Sequence, residues 1–144
     1  MIMNEVKIKY LADVDKIEKI AVGDWIDLRV AEDTYIMKGE LYNIPLGVAM
    51  QLPKGYEAIV APRSSTFKKY GILMVNGVGI IDNSYCGDND EWSFPALATR
   101  ETIILKNTRI AQFRIQLNQP PLHFIEVERL NNADRGGFGS TGEK

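Results

Sequence analysis

Apolar and polar residues alternate in many short runs of this chain, as they do over residues 6–10 and 111–116. A period of two places successive side chains on opposite faces of a β-strand, so each run predicts a strand with one buried face. Nine further short apolar runs predict strands at residues 25–30, 35–42, 44–52, 56–61, 72–75, 77–81, 93–98, 102–105 and 122–128. Turn-forming residues separate them at 53–55, 76–77, 82–90 and 118–121. Many short strands between frequent turns predict an all-β protein, built as a sandwich, a jelly roll or a barrel.

One short helix is predicted in the middle of the chain. Ser64 or Ser65 can cap its N-terminus, two lysines fill its last turn, and Gly71 can end it. A second candidate, residues 13–20, has apolar residues three apart, a spacing that fits a helix and a solvated loop equally well. We therefore expect a mainly β core with one short helix.

The composition is typical of one ordinary globular domain. The chain has 144 residues, of which 45% are hydrophobic, and its 17 Lys and Arg against 19 Asp and Glu give a net charge of −2. This balance gives no basic field for nucleic acid, and no apolar run is long enough to cross a membrane. The N-terminal residues lack the continuous apolar region of a signal peptide. We expect a cytoplasmic protein with one β domain over residues 1–133 and no nucleic-acid or membrane partner.

A single cysteine, Cys86, and a single histidine, His123, limit the chemistry of any active site. One cysteine excludes an internal disulfide and a metal site with several cysteine ligands. The two residues are far apart in sequence, which disfavours a nucleophilic Cys-His pair. Any chemistry must therefore rely on carboxylates, hydroxyls, arginine, lysine and backbone groups.

The last eleven residues, 134–144, differ from the rest of the chain because four of them are glycine. Such a segment cannot build a core and is expected to be flexible. Its Gly-Ser-Thr-Gly sequence offers backbone N–H groups and two hydroxyls, which is the chemistry of a phosphate-binding loop. The alternatives are a disordered terminus and an arm that closes over a ligand.

Arg63, Ser64 and Ser65 stand at the start of the predicted helix. The unpaired N–H groups and the positive dipole at a helix N-terminus favour an anion there, and arginine adds a permanent fork of donors. The alternative is that the serines only cap the helix. This segment is the first candidate part of a site.

A second candidate segment covers residues 75–88. Asn76-Gly77 is typical of a tight hairpin turn, and Gly79 allows another molecule to approach the backbone closely. Asp82 follows two isoleucines at the end of a predicted strand, where it serves either as a general base or as a simple turn residue. Tyr85 follows three residues later.

Five short segments stand out when these candidates are taken together. They are Asp27-Leu28, Pro62-Arg63-Ser64-Ser65, Gly79-Ile80-Ile81-Asp82-Asn83-Ser84-Tyr85-Cys86-Gly87, Arg109-Ile110-Ala111-Gln112 and Gly137-Phe138-Gly139-Ser140-Thr141-Gly142. In this order and spacing they resemble the five motifs of the homotrimeric dUTPase family, the deoxyuridine 5′-triphosphate nucleotidohydrolases. Each motif alone is a weak signal, but the set is specific and covers nearly the whole chain.

The resemblance implies a jelly-roll-like fold, the β-clip of this family, with one short helix and a Gly-rich arm at residues 134–144. It implies a homotrimer with active sites at the subunit interfaces. The implied reaction is hydrolysis of dUTP to dUMP and pyrophosphate, which limits uracil incorporation into DNA. Mg²⁺ is the implied cofactor, held mainly by the triphosphate and water. Such a reaction needs positioning and charge stabilisation more than a covalent nucleophile.

For the hairpin segment, the resemblance implies that Asp82 is the general base that activates water for in-line attack on the α-phosphorus. Tyr85 corresponds to the aromatic residue beneath the deoxyribose, which excludes a ribose 2′-hydroxyl. The groups that read the uracil edge correspond to Asn76 and the backbone of Gly79, Ile80 and Ile81.

For the phosphate side, the resemblance implies that Arg63, Ser64 and Ser65 contact phosphates. Gln112 corresponds to a polar group near the α-phosphate or the attacking water, and Asp27 to an outer-sphere contact of the metal's water shell. In the arm, the phenylalanine that covers the base corresponds to Phe138. The arm residues that clamp the phosphates correspond to Arg135, Gly139, Ser140 and Thr141.

Among the departures from the family pattern, two concern the residues that would cover the base. The arm is shorter between Arg135 and Phe138, and the segment after the third motif is richer in aromatic residues. For Trp92 and Phe94 the alternatives are packing within a strand and a lid that assists or replaces Phe138 over the base.

Two other functions stay open at this point. A dCTP deaminase of the same fold needs a glutamate about ten residues after the hairpin aspartate. Here the tenth residue is Trp92 and Glu91 is one place off, which on a strand means the opposite face. A regulatory protein-binding role on the same scaffold is the other alternative, since exposed loops such as 13–20 and 88–92 could carry it.

Overall fold

Short antiparallel β-strands build most of the described chain. The computed structural model describes residues 4–18 and 21–137, which contain eleven strands and one helix. In chain order they are β1 (Lys7–Tyr10), β2 (Ile26–Arg29), β3 (Thr34–Ile36), β4 (Leu41–Pro45), β5 (Val48–Gln51), β6 (Tyr56–Pro62), α1 (Thr66–Tyr70), β7 (Ile72–Met74), β8 (Gly79–Ile81), β9 (Ser93–Ala98), β10 (Thr102–Ile104) and β11 (Arg109–Leu117). The predicted all-β fold with one short helix is confirmed.

Within the described residues the strands form four sheets, all antiparallel. The largest has the order β2-β11-β6-β8, and the next has the order β4-β9-β7. The other two are the pairs β1-β5 and β3-β10. The strand β11 is the last in the sequence but lies inside the largest sheet, between β2 and β6. This sheet therefore brings distant segments of the chain together, and its strands carry five of the candidate site residues: Asp27, Gly79, Ile80, Ile81 and Gln112.

One hydrophobic core lies among these sheets. In β9, Phe94, Ala96 and Ala98 are buried and the residues between them are partly exposed, as a period of two predicts. Trp92 is also fully buried, and its ring packs edge-on against Phe113 of β11 at a centroid distance of 5.2 Å. Each such large apolar side chain contributes about 1.5–3 kcal/mol when fully buried. The core therefore connects the sheet of β9 to the sheet of β11.

Two predicted strands are each divided by a turn at a glycine. Residues 35–42 separate into β3 and β4 because the chain turns at Gly39, where φ is +87°. Residues 44–52 separate at Gly47, where φ is +72° and where a Cβ would come within 3.2 Å of the Ala12 Cβ. Glycine adopts a positive φ without the strain that a side chain would cause. Both predictions of one continuous strand are therefore wrong.

Residues 122–128 form no strand, contrary to the prediction. Their side chains are exposed, and they pair with no other described segment. A strand is stable only when its backbone groups find partners, which one copy of the described chain does not supply here. The apolar pattern alone was therefore a misleading signal.

Residues 13–18 form a loop, not a helix. The backbone N–H of Ile17 donates to the hydroxyl of Tyr10 at 2.8 Å, and Val14 is buried beneath the loop. Residues 19–20 of the same candidate lie outside the described residues. Of the two alternatives for this segment, the loop is the one that forms.

The helix α1 begins and ends where the sequence predicts. Gly71 ends it with φ +65°, and its N–H donates to the Phe67 carbonyl at 2.7 Å. Ser65 takes the N-cap position but makes no capping hydrogen bond through its side chain. Within residues 4–18 and 21–137, no helix is long and apolar enough to cross a membrane.

Candidate active site

The predicted hairpin is present before and along β8. Gly77 has φ +73° and donates its N–H to the Met74 carbonyl at 3.1 Å, while Asn76 is exposed at the turn. Gly79 then pairs with Val60 of β6, and a Cβ on Gly79 would lie an ordinary 3.4 Å from the Val60 Cβ. Packing within the chain therefore does not require glycine at residue 79. Its predicted close approach to a ligand stays a prediction.

The two isoleucines of β8 differ in their environment. Ile80 is 58% exposed, whereas Ile81 is half-buried and packs against the core. Their backbone groups pair with β6, Ile80 opposite Ile59 and Ile81 opposite Ala58. Since β8 ends the sheet order, its other edge is available to an approaching molecule. The predicted uracil contacts of this strand stay predictions.

Asp82 is exposed directly after β8. Its Oδ2 accepts a short hydrogen bond from the Ser84 hydroxyl and another from the Ser84 N–H at 2.9 Å. These two bonds, the hydroxyl first, lower the pKa of Asp82 below its ordinary value, because both stabilise the charged form. Asp82 is therefore an ionised carboxylate at neutral pH, which is the form a general base requires.

Asn83 anchors the loop that contains Asp82. Its Nδ2 donates to the carbonyls of Pro53 at 2.9 Å, Tyr56 at 3.3 Å and Leu52 at 3.4 Å, on the turn between β5 and β6. No role was predicted for Asn83 from the sequence. An asparagine inside a turn carries no signal that its partners lie about 30 residues away.

Tyr85 lies on the same loop and is 40% exposed. Its N–H donates to the Asp82 carbonyl at 3.0 Å, and its hydroxyl donates to the Glu91 carbonyl at 2.9 Å. Hydrogen bonds therefore hold Tyr85 at its backbone and at its hydroxyl, while part of the side chain stays open to solvent. This arrangement is compatible with the stacking role that the resemblance implies.

Trp92 and Phe94 are both fully buried, so the alternative of strand packing is correct and a lid over the base is wrong for both. Glu91, one residue earlier, accepts the N–H of Gly47 on its Oε2 at 2.8 Å. The carboxylate that a deaminase would need is thus occupied in holding a turn. Nothing in this segment favours the deaminase alternative.

The start of α1 brings the predicted phosphate contacts to one end of β6. Arg63 is half-buried and Ser64 is exposed. Thr66, only 1% exposed, holds this turn: its Oγ1 accepts the Arg63 N–H at 3.1 Å and donates to the Ile110 carbonyl at 2.7 Å. Thr66 is a positioning residue that the sequence analysis missed, since its partner on β11 is 44 residues away.

Asp27 joins two arginines on the outer face of the largest sheet. Its Oδ1 lies 3.1 Å from the Arg63 Nε, and its Oδ2 lies 3.2 Å from the Arg109 Nη1. The side chains of Asp27 and Arg63 are about three-quarters buried, whereas half of the Arg109 side chain is exposed. Arg109 belongs to a quoted motif but received no role from the sequence.

Gln112 lies beside this cluster because of the strand register. In β11 it is directly opposite Asp27 of β2 on one side and Ala61 of β6 on the other, so the three side chains share one face. Its Nε2 donates to the Pro62 carbonyl at 3.1 Å. The structure thus brings Asp27, Arg63 and Gln112 together, as their predicted phosphate-side roles require.

Asp82 lies far from this cluster within one chain. The strands β8 and β11 flank β6, so they are two interstrand spacings, roughly 10 Å, apart. Along β6, Gln112 is opposite Ala61 whereas Ile81, the neighbour of Asp82, is opposite Ala58. Three residues along the strand are roughly 10 Å, and the two perpendicular offsets combine to about 14 Å between backbones, a separation that one phosphate group does not bridge. The hairpin and the phosphate-side cluster are two separate half-sites on the chain.

Of the predicted site residues in the arm, only Arg135 lies within the described residues. Arg135 is exposed in an irregular segment. Phe138, Gly139, Ser140 and Thr141 lie outside the described residues, so their predicted roles stay predictions.

Metal binding is limited by the donors available. Among residues 4–18 and 21–137, no group of three or more His, Cys, Asp or Glu could hold an ion. Both oxygens of Asp27 contact guanidinium groups. The side chains present fit a divalent ion only if an anionic ligand brings most of the oxygens.

Comparisons with known proteins agree with this geometry. A family model described as dUTPase matches residues 21–142. The chain is 57% identical over 141 residues to the SPbeta prophage-derived deoxyuridine 5′-triphosphate nucleotidohydrolase YosS of Bacillus subtilis (strain 168), covering 97% of this chain and 99% of that protein. It is 40% identical over 121 residues to the deoxyuridine 5′-triphosphate nucleotidohydrolase of Thermobifida fusca (strain YX), covering 81% of this chain and 65% of that protein.

A solved structure shows the same fold. A mutant dUTPase of Staphylococcus bacteriophage 80alpha, with dUpNHpp, superposes with a TM-score of 0.78. The match covers 97% of this chain and 99% of that chain at 21% identity. The similarity at this identity concerns the fold, and it agrees with the fold implied by the five motifs.

Proposed function

This chain belongs to the dUTPase family, and from that premise we propose that its hydrolysis of dUTP to dUMP and pyrophosphate proceeds by attack of an Asp82-activated water on the α-phosphorus. The observation that carries the mechanism is the state of Asp82: an exposed carboxylate at the end of β8, hydrogen-bonded by Ser84, which lowers its pKa further below neutral pH. An ionised carboxylate accepts the proton of water as the P–O bond forms. The leaving pyrophosphate then takes the electron pair of the bond that breaks.

The phosphate-side cluster stabilises the charge of the substrate in this mechanism. Arg63 supplies guanidinium N–H groups at the start of α1, and Ser64 and Ser65 supply hydroxyls and backbone N–H groups. Gln112, on the same face as Asp27, orients the α-phosphate or the attacking water. Charge stabilisation of this kind is the main demand of phosphoryl chemistry.

Mg²⁺ is the cofactor that this chemistry calls for. When bound to the triphosphate it neutralises negative charge on the phosphate oxygens. The described chain offers no ligand cluster of its own, which supports an ion held through phosphates and water. The protein's part is to hold the nucleotide against Asp82 with its own arginines and hydroxyls.

A homotrimer is the assembly that we propose for the active enzyme. Two observations support sites shared between subunits. The hairpin half-site and the phosphate-side half-site are too far apart in one chain to act on one phosphorus atom. Residues 119–137 also leave the fold after β11 without forming a strand, and they expose apolar side chains such as Phe124 at 87% and Leu130 at 79%. A neighbouring copy would cover this segment and supply the missing half-site.

The test is pyrophosphate release from dUTP, compared with dTTP, dCTP and UTP, in the presence of Mg²⁺. Wild type is expected to prefer dUTP, and Asp82→Asn to lose a factor of about 10²–10⁴ in kcat because the general base is removed. Asp88→Asn is the matched control, since Asp88 is an exposed carboxylate on the same loop with only a 3.8 Å contact to Lys9.

A wild type that is inert on dUTP would refute the proposed reaction. Full activity of Asp82→Asn would refute the role of the base but not the reaction. Release of ammonia from dCTP would instead support the deaminase alternative.

A further inference from the structure

A β-bulge at the start of β11 directs Arg109 toward Asp27. Arg109 and Ala111 pair with two consecutive residues of β2, so Ile110 is an extra residue in this strand. Strict alternation from Gln112, on the outer face, would place Ile110 outside and Arg109 in the core. Instead, Ile110 and Ala111 are both fully buried, and Arg109 lies on the outer face. Bulges occur beside functional sites because they redirect one side chain.

Asp27 stands between two guanidiniums and is the carboxylate that both contact. Within the described residues no other acidic group forms an ion pair with Arg63 or Arg109. A guanidinium has five N–H donors in a planar fork, and each arginine directs only one edge or group at Asp27. The Arg63 Nη1 also makes a long contact of 3.4 Å to the Arg109 carbonyl. The cluster keeps a net charge of +1 and several donors for a further acceptor.

We propose that Arg63 and Arg109 bind the phosphate chain together, and that Asp27 is the positioning residue that holds the two guanidiniums in place. This inference rests on the proposed hydrolysis of dUTP. Arginine suits the task because its planar fork matches phosphate oxygens in pairs. A long side chain that is already held loses less conformational freedom when the ligand binds.

The charges around Asp27 favour a phosphate group over a hydrated metal ion as the completing ligand. Each carboxylate oxygen already faces a cation, at 3.1 and 3.2 Å. A divalent ion would add two positive charges beside two that are present, whereas a phosphate would bring negative charge to a cluster of net charge +1. The outer-sphere metal role implied for Asp27 by the family resemblance is the alternative that an experiment must separate.

The experiment compares Asp27→Asn, Arg109→Gln and the double variant in two assays. The first measures kcat and KM for dUTP at excess Mg²⁺, together with the Mg²⁺ concentration for half-maximal rate. The second measures the Kd of dUpNHpp in EDTA by titration calorimetry. Each single variant is expected to raise KM and Kd roughly 10-fold with a smaller change in kcat. The double variant is expected to be at most about threefold worse than either single one, because the residues act as a unit.

The ion pair between Asp24 and Arg114, at 3.3 Å, provides the matched control, since it joins β11 to the residues just before β2 and lies outside the Asp27 cluster. Asp24→Asn is expected to leave KM and Kd unchanged. The proposal is overturned if Asp24→Asn raises KM and Kd as much as Asp27→Asn does, or if the effects of Asp27→Asn and Arg109→Gln add in the double variant. It is also overturned if Asp27→Asn binds dUpNHpp more tightly, or if extra Mg²⁺ restores the KM of Asp27→Asn. An inert wild type would refute the proposed function alone, and the EDTA titration, repeated with inorganic tripolyphosphate, would still decide the role of Asp27.

Discussion

The pKa of Asp82 is lowered mainly by a residue two positions along the chain. The Ser84 hydroxyl and the Ser84 N–H both donate to Oδ2, and the carboxylate is otherwise open to solvent. A lower pKa makes the carboxylate a weaker base but keeps it charged at lower pH. Ser84 therefore widens the pH range over which Asp82 is charged and lowers its basicity.

This balance predicts a shift in the pH profile of the Ser84→Ala variant. Removing the hydroxyl removes the largest cause of the lowered pKa, so the pKa of Asp82 rises toward its ordinary value. The base works only when ionised, so the acid limb of kcat/KM is expected to move to higher pH, while the rate near pH 8 changes little. Ser84→Thr keeps the hydroxyl and is expected to keep the wild-type limb. An acid limb that stays in place in Ser84→Ala would contradict this account of Asp82.

At the scale of a single element, the start of α1 is held in place by one buried hydroxyl, that of Thr66. Thr66 connects the helix start to β11 through Ile110 and fixes the backbone of Arg63. The helix has only five residues, too few to be stable without such contacts. The position of the phosphate-side half-site therefore depends on a residue that contacts no substrate in the proposed mechanism.

Thr66→Val is expected to lower the free energy of unfolding by about 1–3 kcal/mol, because it removes two hydrogen bonds of the hydroxyl at nearly constant volume. The Ile110 carbonyl and the Arg63 N–H then keep only the 3.3 Å bond that joins them. Urea denaturation at a fixed protein concentration measures this loss. Thr66→Ser retains the hydroxyl and is expected to lose less. Equal destabilisation by valine and serine would show that the methyl group, not the hydrogen bonds, matters.

Strand positions were largely predictable from the sequence because alternation is a local property. The buried residues of β9 follow directly from it, and the ends of α1 follow from equally local capping residues. The turn at Gly47 and the absence of a strand at 122–128 were not predictable, since both depend on which segments find partners. For the site, the motifs located Asp82 and Gln112, but the bulge at Ile110 and the anchor at Asn83 are decided by contacts between distant strands.

At the scale of the whole molecule, the decisive feature is the distance between the two half-sites on one chain. Asp82, in the hairpin half-site, and Arg63 and Gln112, in the phosphate-side half-site, lie at different ends of the same sheet. A single copy therefore contains both half-sites of the proposed mechanism, but they are too far apart to act on the same substrate group. Activity should depend on assembly, and hence on protein concentration.

Mixed oligomers test this dependence. Asp82→Asn and Gln112→Ala are each expected to be nearly inactive alone. If subunits from the two variants are unfolded and refolded together, one site in a mixed trimer combines an intact Asp82 with an intact Gln112, so roughly a third of wild-type activity per mixed trimer is expected. Each variant refolded alone is the control. Absence of recovery, with mixed oligomers demonstrated by native mass spectrometry, would show that the site lies within one chain.

The place of β11 in the largest sheet has a consequence for synthesis on the ribosome. Its neighbours β2 and β6 are complete long before it, and about 80 residues separate the end of β2 from the start of β11. At translation rates of roughly 5–20 residues per second, both strands wait several seconds with open edges. Their core residues, such as Leu28 and Val60, lack a cover during that time. A message cut short before codon 109 would therefore yield a chain prone to aggregation rather than a partly active enzyme.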